Sequence, residues 1–374
     1  VALPCGLGNP DKSSFWQDRR FPLRHTSLLK RKMDTDPGRR PNPTWGRPLW
    51  RWTTGLRTLL LVGLATLGVM GAQAQEWPQR PVKLLVPYPA GGGVDVMARA
   101  VAQKLQDKWH QPVTVDNRPG ANTLLGTEAV ARATDGHTLL FTTDATFTIN
   151  PHLYSKLPYD LERDFTPITH LVSFSQMLVV NADLPANNLA ELIALAKSKP
   201  GSLSYASYGP GSQPQLATEM LKQKTGTFIV HIPYRGIPQA VMAVVSNEVP
   251  ITWSGIVSAR PHLASKRIKA LAYGGKTRAA AYPQVPTMTE LGFPEVDANV
   301  WVGLFAPSSL NAATVQKIHR DVLTIISDAD FRQREIEGKS YDLVGAGPDE
   351  FKRYIQRESA SRKLTLKASG ATLE

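Results

Sequence analysis

Two glycine-rich stretches are the parts of this chain best suited to chemistry. Pro87-Tyr88-Pro89-Ala90-Gly91-Gly92-Gly93 closes an apolar run over 81–88, and Tyr208-Gly209-Pro210-Gly211-Ser212-Gln213-Pro214 closes another over 202–207. Each stands between a strand end and a helix start. A helix that begins on such a loop presents unsatisfied N–H groups and the positive end of its dipole, which together favour an anion. Two anion-seeking loops on two halves of a protein suit a ligand with carboxylates at both ends. The plainer reading of each loop is a tight left-handed turn. A phosphate loop is excluded, because there is no G-x-x-x-x-G-K-[ST] and 90–95 does not give G-x-G-x-x-G. Asp95 stands where a helix cap is ordinary, and Tyr234-Arg235 reads either as a ligand contact or as an exposed turn.

Catalytic constellations are missing. The sequence has no G-x-S-x-G and no H-E-x-x-H, and His110, His137, His152, His170, His231, His262 and His319 are scattered, without a pair at ligand spacing. No catalytic residue, metal ligand or cofactor is expected. Trp253 and Trp301 read as core or hinge residues rather than stacking platforms.

The elements that must hold the loops follow from periodicity. After the first strand, Val94, Met97, Ala98, Val101 and Leu105 recur at helical spacing. Strands over 113–116 and 138–143 bracket a helix over 123–133. A second, similar block starts near Ser175. It has strands over 177–180, 202–207, 229–232 and 268–273, with helices led by Leu189, Leu192, Ile193 and Ala196, then over 215–224, then after Gly236. A strand over 301–306 precedes a helix carrying Val315, Ile318, Val322 and Ile325. This alternation predicts an α/β fold with a parallel sheet, and 374 residues suffice for two cores.

The net charge of +12 raises nucleic acid as a partner, but its position argues against it. Residues 1–74 hold twelve Lys/Arg against four Asp/Glu, whereas residues 75–374 hold 31 against 27. No basic cluster with interleaved aromatics appears beyond the first segment, so no nucleic-acid partner is expected. That segment reads as a leader: Arg39, Arg40, Arg47, Arg51 and Arg57, then an apolar heart over 59–70, then Ala72-Gln73-Ala74. The heart is short for a membrane anchor, which needs ~20 apolar residues, so cleavage after Ala74 and a periplasmic protein are expected. Met33 is the first methionine, and translation is expected to start there or later. The one cysteine, Cys5, precedes the cleavage site, which leaves the mature part without disulfides or thiolate sites.

Taken as an ordered set, the loops resemble the Bug family, the TctC-like extracytoplasmic solute receptors of tripartite tricarboxylate transporters. The matching pieces are PYPAGGGVD (87–95), NRPGANTLLG (117–126), DGHTLL (135–140), Asn150-Pro151, LPYD (157–160), YASYGPGS (205–212), PYRG (233–236), PQVPTMTELG (283–292) and KASGATL (367–373). The resemblance implies a type II periplasmic-binding-protein fold. Two α/β lobes, 75–176 plus 301–374 and 177–300, would share crossing hinge strands and close on a ligand in the cleft between them like a Venus flytrap.

Carried over by position, it implies ligand-binding roles for Tyr88, Ala90, Gly91, Gly92 and Asp95, then Thr143 and Ala145. In the second lobe it implies Ser207, Gly209, Gly211, Ser212 and Tyr234. The implied ligand is a small di- or tricarboxylate or similar organic acid. The implied partners are membrane transporter subunits or, alternatively, a periplasmic sensor domain, with the receptor itself a monomer. An enzyme on the same scaffold is the remaining alternative.

Two departures stand out. Many relatives carry Asp where this chain has Ile251-Thr252-Trp253-Ser254, and the helix after Tyr234 also lacks one. Both favour a ligand without an amine, although Asp95 remains a carboxylate that an amine would meet. Gln213-Pro214-Gln215 stands where relatives often place His nearby, a difference expected to alter the shape of the pocket.

Overall fold

A computed structural model describes residues 77–369. The leader, its cleavage site, Cys5 and residues 370–374 lie outside them. In chain order the strands are β1 (Val82–Val86), β2 (Val113–Asn117), β3 (Thr138–Thr143), β4 (Phe165–Asn181), β5 (Ser204–Ser207), β6 (Val230–Pro233), β7 (Ile251–Gly255), β8 (Ile268–Tyr273), β9 (Asn299–Pro307) and β10 (Asp342–Ala346). The principal helices are α1 (Gly93–Trp109), α2 (Leu124–Ala131), α3 (Leu189–Ser198), α4 (Gln213–Thr225), α5 (Ile237–Val245), α6 (Ile256–Ala264), α7 (Ala312–Ser327) and α8 (Pro348–Ser369).

The apolar spacing in α1 does what its period requires. Val94, Met97, Ala98, Val101 and Leu105 are all buried, and they pack with β1, β3, β9 and α7 in one core. Leu178, Tyr205, Ala217, Leu221 and Trp253 belong to a second core around β4, β5, β7 and α4. Met177 and Val179, the alternate residues of β4, join a third with α5 and α6. Trp253 and Trp301 are both fully buried.

The sheet is mixed rather than parallel. β1 runs parallel to β2 and β3, and β5 runs parallel to β6 and β7, as the strand–helix alternation predicts. All other pairings are antiparallel: β9 with β3, and β4 with β7, β8, β9 and β10. The reason lies in β4, whose 17 residues span roughly 55 Å. Residues 165–175 of β4 pair with β9, and residues 176–181 pair with β7 and β8. One strand therefore serves both halves of the sheet, and β9 returns beside it in the opposite direction. Strand–helix periodicity reports the local units, not this crossing.

Candidate functional site

A cavity of about 560 Å³ lies where the ends of β1, β3, β5 and β6 converge on the crossing strands. Its floor comes from Phe174 and Gln176 of β4 and Val300 of β9. Side chains alternate along a strand, and here the alternation sorts two cavities. Ser175 and Asn299, which pair with each other, face a larger opening of about 990 Å³ on the other side. That second opening has charges of both signs, and its buried cation is already engaged: Arg362 contacts Glu358 at 3.1 Å, Asp297 at 3.4 Å and Asp144 at 3.9 Å. The first cavity is the one that the loops after β1 and β5 reach.

One bank of the first cavity is the loop after β1. Tyr88 lines it, and its hydroxyl lies 2.7 Å from Oγ1 of Thr143 at the end of β3. Burial pushes the Tyr88 phenol up to about 12, against the hydrogen bond to Thr143, which lowers it. Gly92 and Gly93 bring the first turn of α1 to the wall, with Gly92 as the residue before the helix. Beyond β2, Ala121, Asn122 and Thr123 line the cavity in a left-handed turn, with φ of 45°, 48° and 77°. Left-handed backbone is costly for residues with a Cβ, and side-chain bonds hold this turn. Nδ2 of Asn122 donates to Oδ1 of Asn150 at 2.7 Å and to the carbonyl of Pro210 at 2.9 Å, and Nδ2 of Asn150 donates back to the carbonyl of Asn122 at 2.7 Å.

The opposite bank consists of Tyr208, Gly209 and Pro210 after β5 and Tyr234 to Pro238 after β6. Here the sequence reading needs correction. The second helix start on the cavity is that of α5, through Gly236, Ile237 and Pro238, and not that of α4. Ser212, the residue before α4, is fully buried with a hydroxyl that has no hydrogen-bond partner, and it does not reach the wall. The Gly211 N–H is spent on Oε1 of Gln215 at 2.6 Å, and a Cβ at Gly211 would meet Leu153 at 2.5 Å. Gln215 thus braces the loop from behind. The Ser207 hydroxyl accepts from the Gly209 N–H and contacts Nε2 of His231 at 2.6 Å, so it too faces inward.

Four further residues, Ala90, Gly91, Asp95 and Ala145, stand away from the wall on the first bank. Asp95 is buried and fully engaged: Oδ2 accepts from the Gly91 N–H at 2.9 Å and from Arg99, and Oδ1 accepts from Asn117. That bond also occupies Gly91, which with Ala90 sits exposed at the rim. Burial raises the Asp95 carboxyl, but the bonds from Arg99, Gly91 and Asn117 outweigh it and hold the group below its ordinary range. Asp95 is therefore a brace of the loop. Ala145 opens a short π-helical turn and packs against Ile149, Leu216 and Leu366. Of the twelve residues expected at the site, Tyr88, Gly92, Thr143, Gly209 and Tyr234 line the cavity.

The sequence reading overlooked Gln176, Tyr208, Asn122 and Phe174. Gln176 stands directly ahead of the apolar run 177–180, in a strand that also carries Thr, His and Ser, so its residue type alone did not mark it. Among the described residues that line the cavity, Arg235 alone carries a charge, and its side chain is exposed at the rim. The walls are otherwise largely prolines, Phe174, Val94, Ile237 and Val300. No group of three or more His, Cys, Asp or Glu side chains suited to a metal occurs among the described residues.

A mixed α/β fold whose halves share crossing strands, with a solute-sized cavity on those strands, defines a periplasmic-binding-protein-type receptor. The family model for the tripartite tricarboxylate transporter family receptor, TctC, matches residues 97–370, and the chain belongs to that family. Protein BugT of Bordetella pertussis is 34% identical over 324 residues, which is 85% of this chain and 99% of BugT. Among solved structures, Rpa4515 of R. palustris with adipate is 27% identical and aligns over 80% of this chain and 100% of its own, with a TM-score of 0.77. MatC from Rhodopseudomonas palustris with bound malate is also 27% identical, over 78% of this chain and 100% of its own, with a TM-score of 0.73.

Proposed function

We propose that this receptor captures a small organic acid, a di- or tricarboxylate or a similar acid, and delivers it to the membrane subunits of a tripartite tricarboxylate-type transporter. The observation that carries the reading is the cavity of about 560 Å³ on the crossing strands, with the first turn of α1 at its wall. Unsatisfied N–H groups and the helix dipole suit a carboxylate there. Tyr88 and Thr143 supply hydroxyls beside it, and Gly209 and Tyr234 face them from the second bank. The acids bound by two related structures, adipate and malate, support the same class.

Binding is a population shift. Residues 75–176 with 301–374 form one lobe and residues 177–300 the other, and the lobes close about β4 and β9 when a ligand bridges them. The mature receptor acts as a monomer in the periplasm after cleavage of its leader following Ala74. No catalytic residue, metal or cofactor has a part in this cycle.

Isothermal titration against organic acids tests the ligand class. Acids bind in a 1:1 ratio, and silence across the acids together with heat from sugars or cations would refute the proposal. N-terminal sequencing of the protein recovered from a periplasmic extract reads the cleavage site.

A further inference from the structure

Gln176 is fully buried, and neither its side-chain oxygen nor its nitrogen has a hydrogen-bond partner. It is the first residue of β4 on the β7 side of the crossing, opposite Gly255. Its side chain belongs to the floor of the first cavity, while its neighbour Ser175 faces the other side. The Tyr208 phenol, pushed up by burial, approaches the amide without reaching hydrogen-bond geometry with it. A buried amide with both functions unmet is costly, and the penalty is removed by a partner that can both donate and accept.

From this we infer that Gln176 is a specificity-determining residue, reading a neutral donor–acceptor group, a hydroxyl or a carboxamide, at the far end of the organic acid. The inference rests on the carboxylate reading above, which assigns the acid group to the first turn of α1, and it narrows that reading from a di- or tricarboxylate to an acid whose far end is neutral. The charge balance of the wall supports it. An ammonium at the floor would need a carboxylate, and the lining has none, since Asp95 is engaged elsewhere. A second carboxylate at the floor would be desolvated with its nearest lining cation, Arg235, out at the rim. It would also meet the amide oxygen of Gln176, an acceptor facing an acceptor. A hydroxyl or carboxamide satisfies both atoms of the amide and adds no charge.

The test is calorimetric titration of the full-length mature receptor with acids matched in length and differing at one end. At four carbons these are 4-hydroxybutyrate, succinamate, succinate, butyrate and 4-aminobutyrate. At six carbons they are 6-hydroxyhexanoate, adipamate, adipate, hexanoate and 6-aminohexanoate. At one length or both, the hydroxy and amide acids are expected to bind about tenfold tighter than the others. Gln176→Leu brings that gap to within about twofold, and Gln176→Glu turns the preference towards the amino acid of the same length. Wild-type protein that binds butyrate or hexanoate as tightly as the hydroxy and amide acids overturns the inference without any variant. A Gln176→Leu protein that keeps the gap overturns it as well. If acids bind but show no preference at the far end, the carboxylate reading stands and Gln176 is no reader. If no acid binds at either length while other solutes do, both readings fall.

Discussion

Gly236 and Pro89 meet across the mouth of the cavity: a Cβ added to Gly236 would lie 2.6 Å from Cγ of Pro89. The two residues belong to opposite banks, one after β6 and the other after β1. Their contact sets how closely the banks approach.

Gly236→Val is therefore expected to prop the banks apart. The φ of Gly236 is 174°, extended backbone that valine adopts readily, so the effect is one of space and not of strain. Affinity for the best organic acid should fall by about tenfold or more, equivalent to ~1.4 kcal/mol, with little change in melting temperature. Small-angle scattering should show a larger radius of gyration with ligand present. Undiminished affinity would mean that the contact does not limit closure.

Tyr88→Phe removes the hydroxyl that lies 2.7 Å from Thr143 while keeping the ring. A net hydrogen bond is worth about 0.5–1.5 kcal/mol, so the acid should bind about 3- to 10-fold more weakly. Thr143→Val should give a loss of the same size, and the double variant should lose less than the sum, because the two hydroxyls share one bond. Additive losses in calorimetry would show that they act separately.

Asp95→Ala should cost about 2–3 kcal/mol of stability, because it leaves the Gly91 N–H and the Asn117 amide without their acceptor. The wild-type carboxyl is held below its ordinary range, so its contribution is present above the unfolded-chain pKa of 3.8 and is lost as pH falls through the lower folded value. Urea melts from pH 6 down to pH 2 should therefore converge for wild type and Asp95→Asn at the acid end. Curves that stay parallel would contradict this role.

Asp144 has the opposite sign. It is buried 3.9 Å from Arg362, a cation already shared with Glu358 and Asp297. Burial raises its carboxyl to about 7, against the attraction of Arg362, which lowers it, while Glu358 and Asp297 add to the rise. The folded protein thus holds this proton more tightly than the unfolded chain. The stability it confers is complete below the unfolded pKa of 3.8 and is lost as pH rises through about 7. Asp144→Asn should flatten the fall in melting temperature between pH 5 and pH 8.5. An unchanged pH profile would remove Asp144 from the account.

Much of the scaffold was legible in the residues alone, and the reason is periodicity. The strands expected over 138–143 and 268–273 are β3 and β8 with the same bounds, and every apolar position expected to face inward on α1 is buried. Direction was not legible. β8 was read as one more member of a strand–helix series, yet it lies antiparallel on β4, because strand orientation depends on connections that a local pattern does not record. β10 escaped notice for a related reason: as an edge strand with three exposed residues it lacks a buried face to mark it.

The site divided along the same line. Tyr88, Gly92, Thr143, Gly209 and Tyr234 sit at strand–helix junctions, and they do reach the cavity. Asp95, Gly211 and Ser207 sit at such junctions too, but their polar atoms are consumed by neighbours: the Gly91 N–H, Gln215 and His231. Only the fold reveals which donors are already spent. Gln176 and Phe174 reach the floor because β4 crosses beneath both banks, a position that no neighbouring residue advertises.

The alternation along β4 and β9 has a mechanical side. Gln176 and Val300 face one cavity while Ser175 and Asn299 face the other, so a two-strand ribbon is the partition between two hollows. Flexing the ribbon in one direction shrinks the first hollow and widens the second, as a beam deepens on one side of its pivot by rising on the other. On the far side the beam is clamped by Arg362, whose guanidinium grips the Asn299 carbonyl and the Asp297 carboxylate. The stiffness of the floor of the first hollow is thus set partly by a guanidinium on the opposite face of the ribbon.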